Sequence, residues 1–264
     1  RAQDQIHTFY NLFSDTTAFF LTVGENAGKR MTVRNVSPTG LPAVTYHRED
    51  DLQVRTDVFG FGQYYPIGNP AGEVKRSLYD RGQMFMSNVI TKSSATVSKG
   101  TNFRDFIFQG ISGQIPSISK LELTFQLIGF NNIALHRANV YVGPDRDNLR
   151  PLVQDITLSF NNFGTRTLQI NWDDISAEGQ LVFRVEVVGY DEYPVDQMSV
   201  GYLRIRYPRE LNAFGSDKYL FIPPANQERV LTVANPPANA VLFDVTDYRN
   251  PVVIQGQASG SFTA

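Results

Sequence analysis

The chain has 264 residues, room for one large or two small domains, and its 42% hydrophobic content with 19 Phe and 12 Tyr marks a folded protein rather than a disordered one. Twenty-four Lys and Arg stand against 26 Asp and Glu, a formal net charge of −2, so no broad field draws nucleic acid or an anionic membrane. The absence of cysteine removes disulfides, thiolate metal sites and a cysteine nucleophile from these residues.

Short strands are predicted in the first part of the chain over 18–23, 31–36, 58–65 and 84–90, joined by long polar connections. Gly24-Glu25-Asn26-Ala27-Gly28-Lys29-Arg30 has the look of a phosphate-cradling loop, but its glycines are one residue too close and Arg30 stands where Ser or Thr would bind magnesium. It reads as a hairpin turn. Gly60-Phe61-Gly62 lacks the third glycine of a dinucleotide site and reads as strand and turn. The stretch 93–100 carries no large apolar residue, so a boundary is expected between Lys92 and Thr101, closing a β-rich N-terminal domain over 1–95.

The next part, 99–212, is predicted to be a β-sandwich of jelly-roll type. Strand side chains alternate between faces, so a half-buried strand shows apolar residues at every second position. Leu121, Leu123, Phe125 and Leu127 do so, as do Leu168, Ile170 and Trp172; Leu181, Phe183, Val185 and Val187; and Leu203, Ile205 and Tyr207 against Arg204 and Arg206. Turn-forming clusters separate them at 129–132, 143–145, 161–164 and 189–194. No long stretch carries a helical apolar period; single helical turns are expected near 145–149 or 209–214. The remainder, 213–264, reads as a β-segment with short strands at 219–222, 230–233, 241–245 and 252–254. The fold class expected is therefore all-β. No apolar run reaches the length of a membrane-spanning helix, and with a start at Arg1 without Met the chain is expected to be a piece of a longer protein.

Catalytic chemistry finds little to build on. The three histidines, His7, His47 and His136, lie too far apart in sequence to be paired as ligands by one helix or hairpin, and structural or surface roles are expected. Serines lack the Gly-x-Ser-x-Gly elbow of a hydrolase nucleophile. Loop carboxylates at Asp145 and Asp147, Asp173 and Asp174, and Asp191, Glu192 and Asp196 are candidate calcium ligands, of which Asp145, Asp147, Asp191 and Asp196 lead. None has the spacing of a dedicated calcium loop, and Asp favours turns for its own reasons. Trp172, Tyr190, Tyr193 and Tyr202 would suit a sugar-binding platform, and equally a core or strand edge.

Gly201-Tyr202-Leu203-Arg204-Ile205-Arg206-Tyr207-Pro208-Arg209-Glu210-Leu211, followed by Tyr219-Leu220-Phe221, resembles the last sandwich strand in the non-catalytic region of type IX secretion sortases, gingipain-type cysteine peptidases of the Bacteroidetes. Tyr10-Asn11-Leu12-Phe13-Ser14-Asp15-Thr16-Thr17-Ala18-Phe19-Phe20-Leu21-Thr22, Gly28-Lys29-Arg30 and Leu242-Phe243-Asp244-Val245-Thr246-Asp247 are similar as well, in the family's order from end to end of the chain. Where the family shows Gly-Arg-Glu-Trp-Phe-Gly, this chain has Asp57-Val58-Phe59-Gly60-Phe61-Gly62. The resemblance implies that the nucleophilic Cys and its His base lie on a caspase-like domain beyond Ala264, and that the parent protein processes secreted cargo at the cell surface or outer membrane. It implies as partners that peptidase domain, other secretion components or the cargo. This region would be the scaffold; a surface carbohydrate-binding or adhesion module is the competing expectation, and a carboxylate-based hydrolase a distant third.

Overall fold

Alternation of apolar and polar residues builds strands, and strands dominate the computed structural model, which describes residues 30–36, 40–60, 84–94, 101–118, 121–131, 133–214, 220–222, 229–255, 257–258 and 261–263. In chain order the strands are β1 (Thr32–Asn35), β2 (His47–Val54), β3 (Val58–Gly60), β4 (Met84–Met86), β5 (Ile90–Ser93), β6 (Phe103–Phe108), β7 (Glu122–Gly129), β8 (His136–Gly143) and β9 (Arg150–Leu158). They continue with β10 (Phe163–Gln169), β11 (Leu181–Val187), β12 (Val195–Arg209), β13 (Thr232–Ala234), β14 (Leu242–Asp244), β15 (Val252–Gln255), β16 (Gln257–Ala258) and β17 (Ser261–Thr263). The protein is all-β, as expected. His7, the predicted strand at 18–23 and most of the 24–30 loop lie outside the described residues.

Two compact units organise these strands. The described parts of Asp50–Ser112 and Lys120–Arg206 belong to the first, those of Ala18–Glu49, Gly113–Ser119 and Tyr207–Ala264 to the second. The first is a sandwich. One sheet has the order β6-β11-β8-β9; the other runs β10-β7-β12-β2, with β5 pairing β12 beside it. The inward residues predicted from alternation meet between the sheets: Phe125 on β7 and Phe183 on β11 bring their ring centroids to 5.1 Å. Leu123, Leu127, Val140, Val185, Leu203 and Ile205 are buried around them, each stabilising the fold by about 1.5–3 kcal/mol through loss of apolar surface to water.

Strand β12 is longer than its sequence pattern. Its register against β7 slips between Val200 and Leu203, where two residues of β7 advance and three of β12 do. Such a bulge reverses the phase of alternation, so the inward set before it does not continue the Leu203, Ile205, Tyr207 series after it. The other departures are local. Ile170 and Trp172 do not extend β10, which ends at Gln169; Asn171 caps the 3-10 turn Trp172–Asp174. Residues 145–149, where a helical turn was expected, form bends, and none forms at 209–214 either.

The second unit contains two three-stranded sheets, β1-β15-β14 and β13-β17-β16. Its buried Ala213 and Val233 are covered by Phe221, Leu231 and Leu242.

Candidate functional site

Antiparallel pairing of β8 with β11, Ala138 opposite Val187 and Gly143 opposite Val182, sorts the loops of the sandwich to two ends. At the end where β8 begins and β11 finishes stand His136, Tyr190, Asp191, Tyr193 and Asp196. His136 and Asp196 are both completely buried. The imidazole Nδ1 lies 2.6 Å from Asp196 Oδ1, and Nε2 lies 2.9 Å from the carbonyl oxygen of Phe160. A carbonyl only accepts, so Nε2 is the donor to Phe160. Asp196 Oδ2 accepts the backbone N–H of Arg137 at 3.2 Å. The couple has the components of a general base, but no substrate reaches a group with no exposed surface. Its geometry describes a buried clamp between β8, β12 and the β9–β10 turn.

The clamp shapes its surroundings. A Cβ on Gly129 would lie 2.2 Å from the Phe160 carbonyl oxygen and 2.6 Å from the His136 ring, so only glycine fits. Phe160 adopts a left-handed φ of 50° to present that carbonyl, a conformation costing a bulky residue about 1–2 kcal/mol. Asp191 is solvent-exposed, with Lys92 Nζ at 3.5 Å, and the Arg137 guanidinium sits 4.8 Å from the centre of the Tyr190 ring.

Asp145, Asp147 and Trp172 stand at the opposite end. Asp145 accepts the backbone N–H groups of Asp147 and Asn148, each at 2.9 Å, and the Asn148 side-chain amide at 2.8 Å. The Asn148 amide, then these N–H groups, hold its carboxyl below the ordinary carboxylate range. This is an aspartate closing a turn. Asp174, beside Trp172, is nearly buried and accepts a bidentate pair from Arg150, with Nε to Oδ1 at 2.7 Å. The structure thus leaves Asp145 and Asp147 in one turn, and at the other end of the sandwich sets an exposed Asp191 beside Lys92 apart from a buried Asp196 bound to His136. Among the described residues no three His, Asp or Glu converge as metal ligands. The aromatics divide likewise, Trp172 at one end and Tyr190 with Tyr193 at the other, while Tyr202 is buried in β12.

Two charged constellations were not singled out from sequence. On the outer face of the four-stranded sheet, Arg184 donates to both oxygens of Asp105 at 2.6 and 3.0 Å, Tyr141 donates to Glu186 at 2.8 Å, and Arg184 covers the Phe103 ring at 4.3 Å. Burial and the bond to Glu186 push the Tyr141 phenol up, and the Asp105 hydrogen bonds push the Arg184 guanidinium up. In the first unit's other sheet, Arg204 and Arg206 of β12 both donate to Asp50 of β2, the latter at 3.1 Å. Burial raises Asp50, but the hydrogen bonds and charges of the two arginines outweigh it and hold the carboxyl below its usual range. In the second unit, Arg209 donates to Glu49 at 2.6 Å. There His47 is fully buried against the edge of Phe221, and burial pushes its pKa down despite Glu49.

The arginines that meet β2 belong to the stretch 201–211, which carried the sequence resemblance. A solved structure shares this fold. It is the crystal structure of dimeric latent PorU from Porphyromonas gingivalis, matching 89% of this chain with a TM-score of 0.57 at 10% sequence identity. This chain spans 20% of the length of that one. The likeness at such identity is one of fold. No protein-family model and no curated protein matches the sequence. Among the described residues, no helix is long and apolar enough to cross a membrane.

Proposed function

We propose that the chain is the non-catalytic N-terminal scaffold of a cell-surface type IX secretion sortase, whose remaining part is a gingipain-like cysteine peptidase acting on secreted cargo. The observation that carries this reading is the agreement of two independent likenesses. Four stretches resemble PorU-like sortases in the family's order, and the fold matches PorU over 89% of the chain. The chemistry is consistent with it. These 264 residues hold no cysteine, so a thiolate nucleophile has to be supplied by another part of the protein. The residues that look reactive are committed to the frame: His136 to Asp196, Asp50 to Arg204 and Arg206, Asp174 to Arg150.

On this reading the chain's role is to hold and present the peptidase and to meet other secretion components or cargo outside the cytoplasm. The adhesion reading draws less support, because Trp172 and the Tyr190–Tyr193 turn lie at opposite ends of β11 and form no common platform. Peptide mass mapping of the natural protein beyond Ala264 tests the proposal. A downstream caspase-like domain with Cys and His is the expected result. A natural chain stopping close to Ala264 would overturn it.

A further inference from the structure

His47, the first residue of β2, has no exposed surface. The Phe221 ring stands edge-on to its imidazole, with centroids 5.1 Å apart and planes at 85°. Phe221 also packs over the buried Ala213 and Val233, so the same ring covers the small core of the second unit. Beside this contact the Arg48 N–H donates to the Ile222 carbonyl at 2.8 Å. An aromatic contact and a backbone hydrogen bond thus hold segment 220–222 to the start of β2, with Leu220 62% and Ile222 38% exposed on either side of Phe221. Charge reaches the imidazole from two side chains among the described residues. Glu49, two positions along β2 and so on the same side of the strand, has Oε2 3.9 Å from Nε2. The same oxygen accepts Arg209 Nη1 at 2.6 Å. A proton on the ring would therefore bury a second cation beside the guanidinium and divide one carboxylate oxygen between the two. Segment 220–222 brings no charged residue to the ring.

We propose that His47 is an acid-sensitive latch of the second unit: a proton on its ring releases segment 220–222 from β2 and uncovers Ala213 and Val233, while the strands of the first unit stay in place. Burial, joined by the Arg209 cation, outweighs Glu49 and the Arg48 backbone and holds the imidazole below its ordinary value while the latch is closed. Once the segment is released the ring meets water and titrates near 6.5. Above that pH both forms are neutral and the latch is fully shut. As the pH falls below it, the open form takes up a proton that the closed form does not. Opening then gains roughly tenfold per pH unit, up to about 30-fold by about pH 5, until the closed form protonates as well.

Hydrogen exchange of the intact protein, followed by mass spectrometry from about pH 7.5 to about pH 5 and corrected for the chemical exchange rate, tests the latch. The Arg48 amide, which donates to Ile222, is expected to lose protection by about 10- to 30-fold across that range, with residues 122–129 of β7 unchanged. Exchange at the imidazole C2 of His47 reads its titration directly and is expected to place the midpoint below 6.5. His47→Gln keeps a polar side chain without a titrating ring and is expected to protect Arg48 equally at both ends of the range. Protection of Arg48 that ignores pH in the parent protein, its loss together with that of β7, a ring midpoint at or above the ordinary value, or the same acid loss in His47→Gln would each overturn the proposal. Where glutamine itself opens the segment at neutral pH, the C2 midpoint and the Arg48 profile of the parent protein decide.

Discussion

His136 is a histidine whose two ring nitrogens both face oxygen acceptors in a site with no exposed surface. Removing it leaves the buried Asp196 with the Arg137 N–H and without its imidazole partner, and breaking a buried pair from one side costs about 3–5 kcal/mol. His136→Ala is therefore expected to lower the stability of the first unit by roughly 3 kcal/mol or more. Trp172, the only tryptophan in the chain, lies in that unit and reports its urea unfolding by fluorescence. An unchanged midpoint would show that the clamp contributes nothing. Gly129→Ala tests the same knot through sterics. Its Cβ would strike the Phe160 carbonyl at 2.2 Å, so a loss of about 3 kcal/mol is expected from the forced shift. Isolation in sequence left His136 with a structural or surface role, and the fold buries it against Asp196. Its partner Asp196 was read instead as a loop carboxylate for calcium, because only the fold brings two residues 60 positions apart to 2.6 Å.

Strand β2 shows how far periodicity reaches at the level of elements. Its sequence, His47-Arg48-Glu49-Asp50-Asp51-Leu52-Gln53-Val54, has four charged residues in a row and reads as a connection. It becomes a strand because β12 offers Arg204 and Arg206 to Asp50, and Arg209 to Glu49. Opposite charges on paired strands substitute for apolar alternation. The Asp50 carboxyl titrates below its unfolded value, so its contribution is complete above about pH 4, the ordinary carboxylate pKa, and is lost as the pH falls through the lower folded value. Asp50→Asn is expected to cost about 2 kcal/mol at pH 7 and to converge with the parent under acid conditions. Urea midpoints read by Trp172 fluorescence from pH 7 downward check both halves of that expectation. A cost independent of pH would mean that packing, not charge, seats β2. The bulge in β12 was hidden for a related reason: the apolar residues on both sides of it look regular one segment at a time, and only pairing with β7 reveals the slip.

For the whole molecule, the scaffold reading predicts that these 264 residues hydrolyse no peptide and that cargo processing needs the downstream part of the natural protein. Incubation of the chain with a peptide library, against the full-length protein, checks this by mass spectrometry. Cleavage by the isolated chain would refute the reading. The compact units are assembled from stretches far apart in sequence, a property that a search for polar linkers does not register. Composition and the period-two pattern by themselves determined the all-β class, the Phe125–Phe183 core and the want of a cysteine nucleophile, because burial of alternate residues and the identity of a side chain are local facts. Tertiary structure alone decided that Asp50 lies beside Arg204, that the calcium and sugar candidates part to two ends of a sandwich, and that His47 packs against Phe221. Those outcomes depend on strand order and register, which are set by pairing between segments and leave no mark on either segment taken singly.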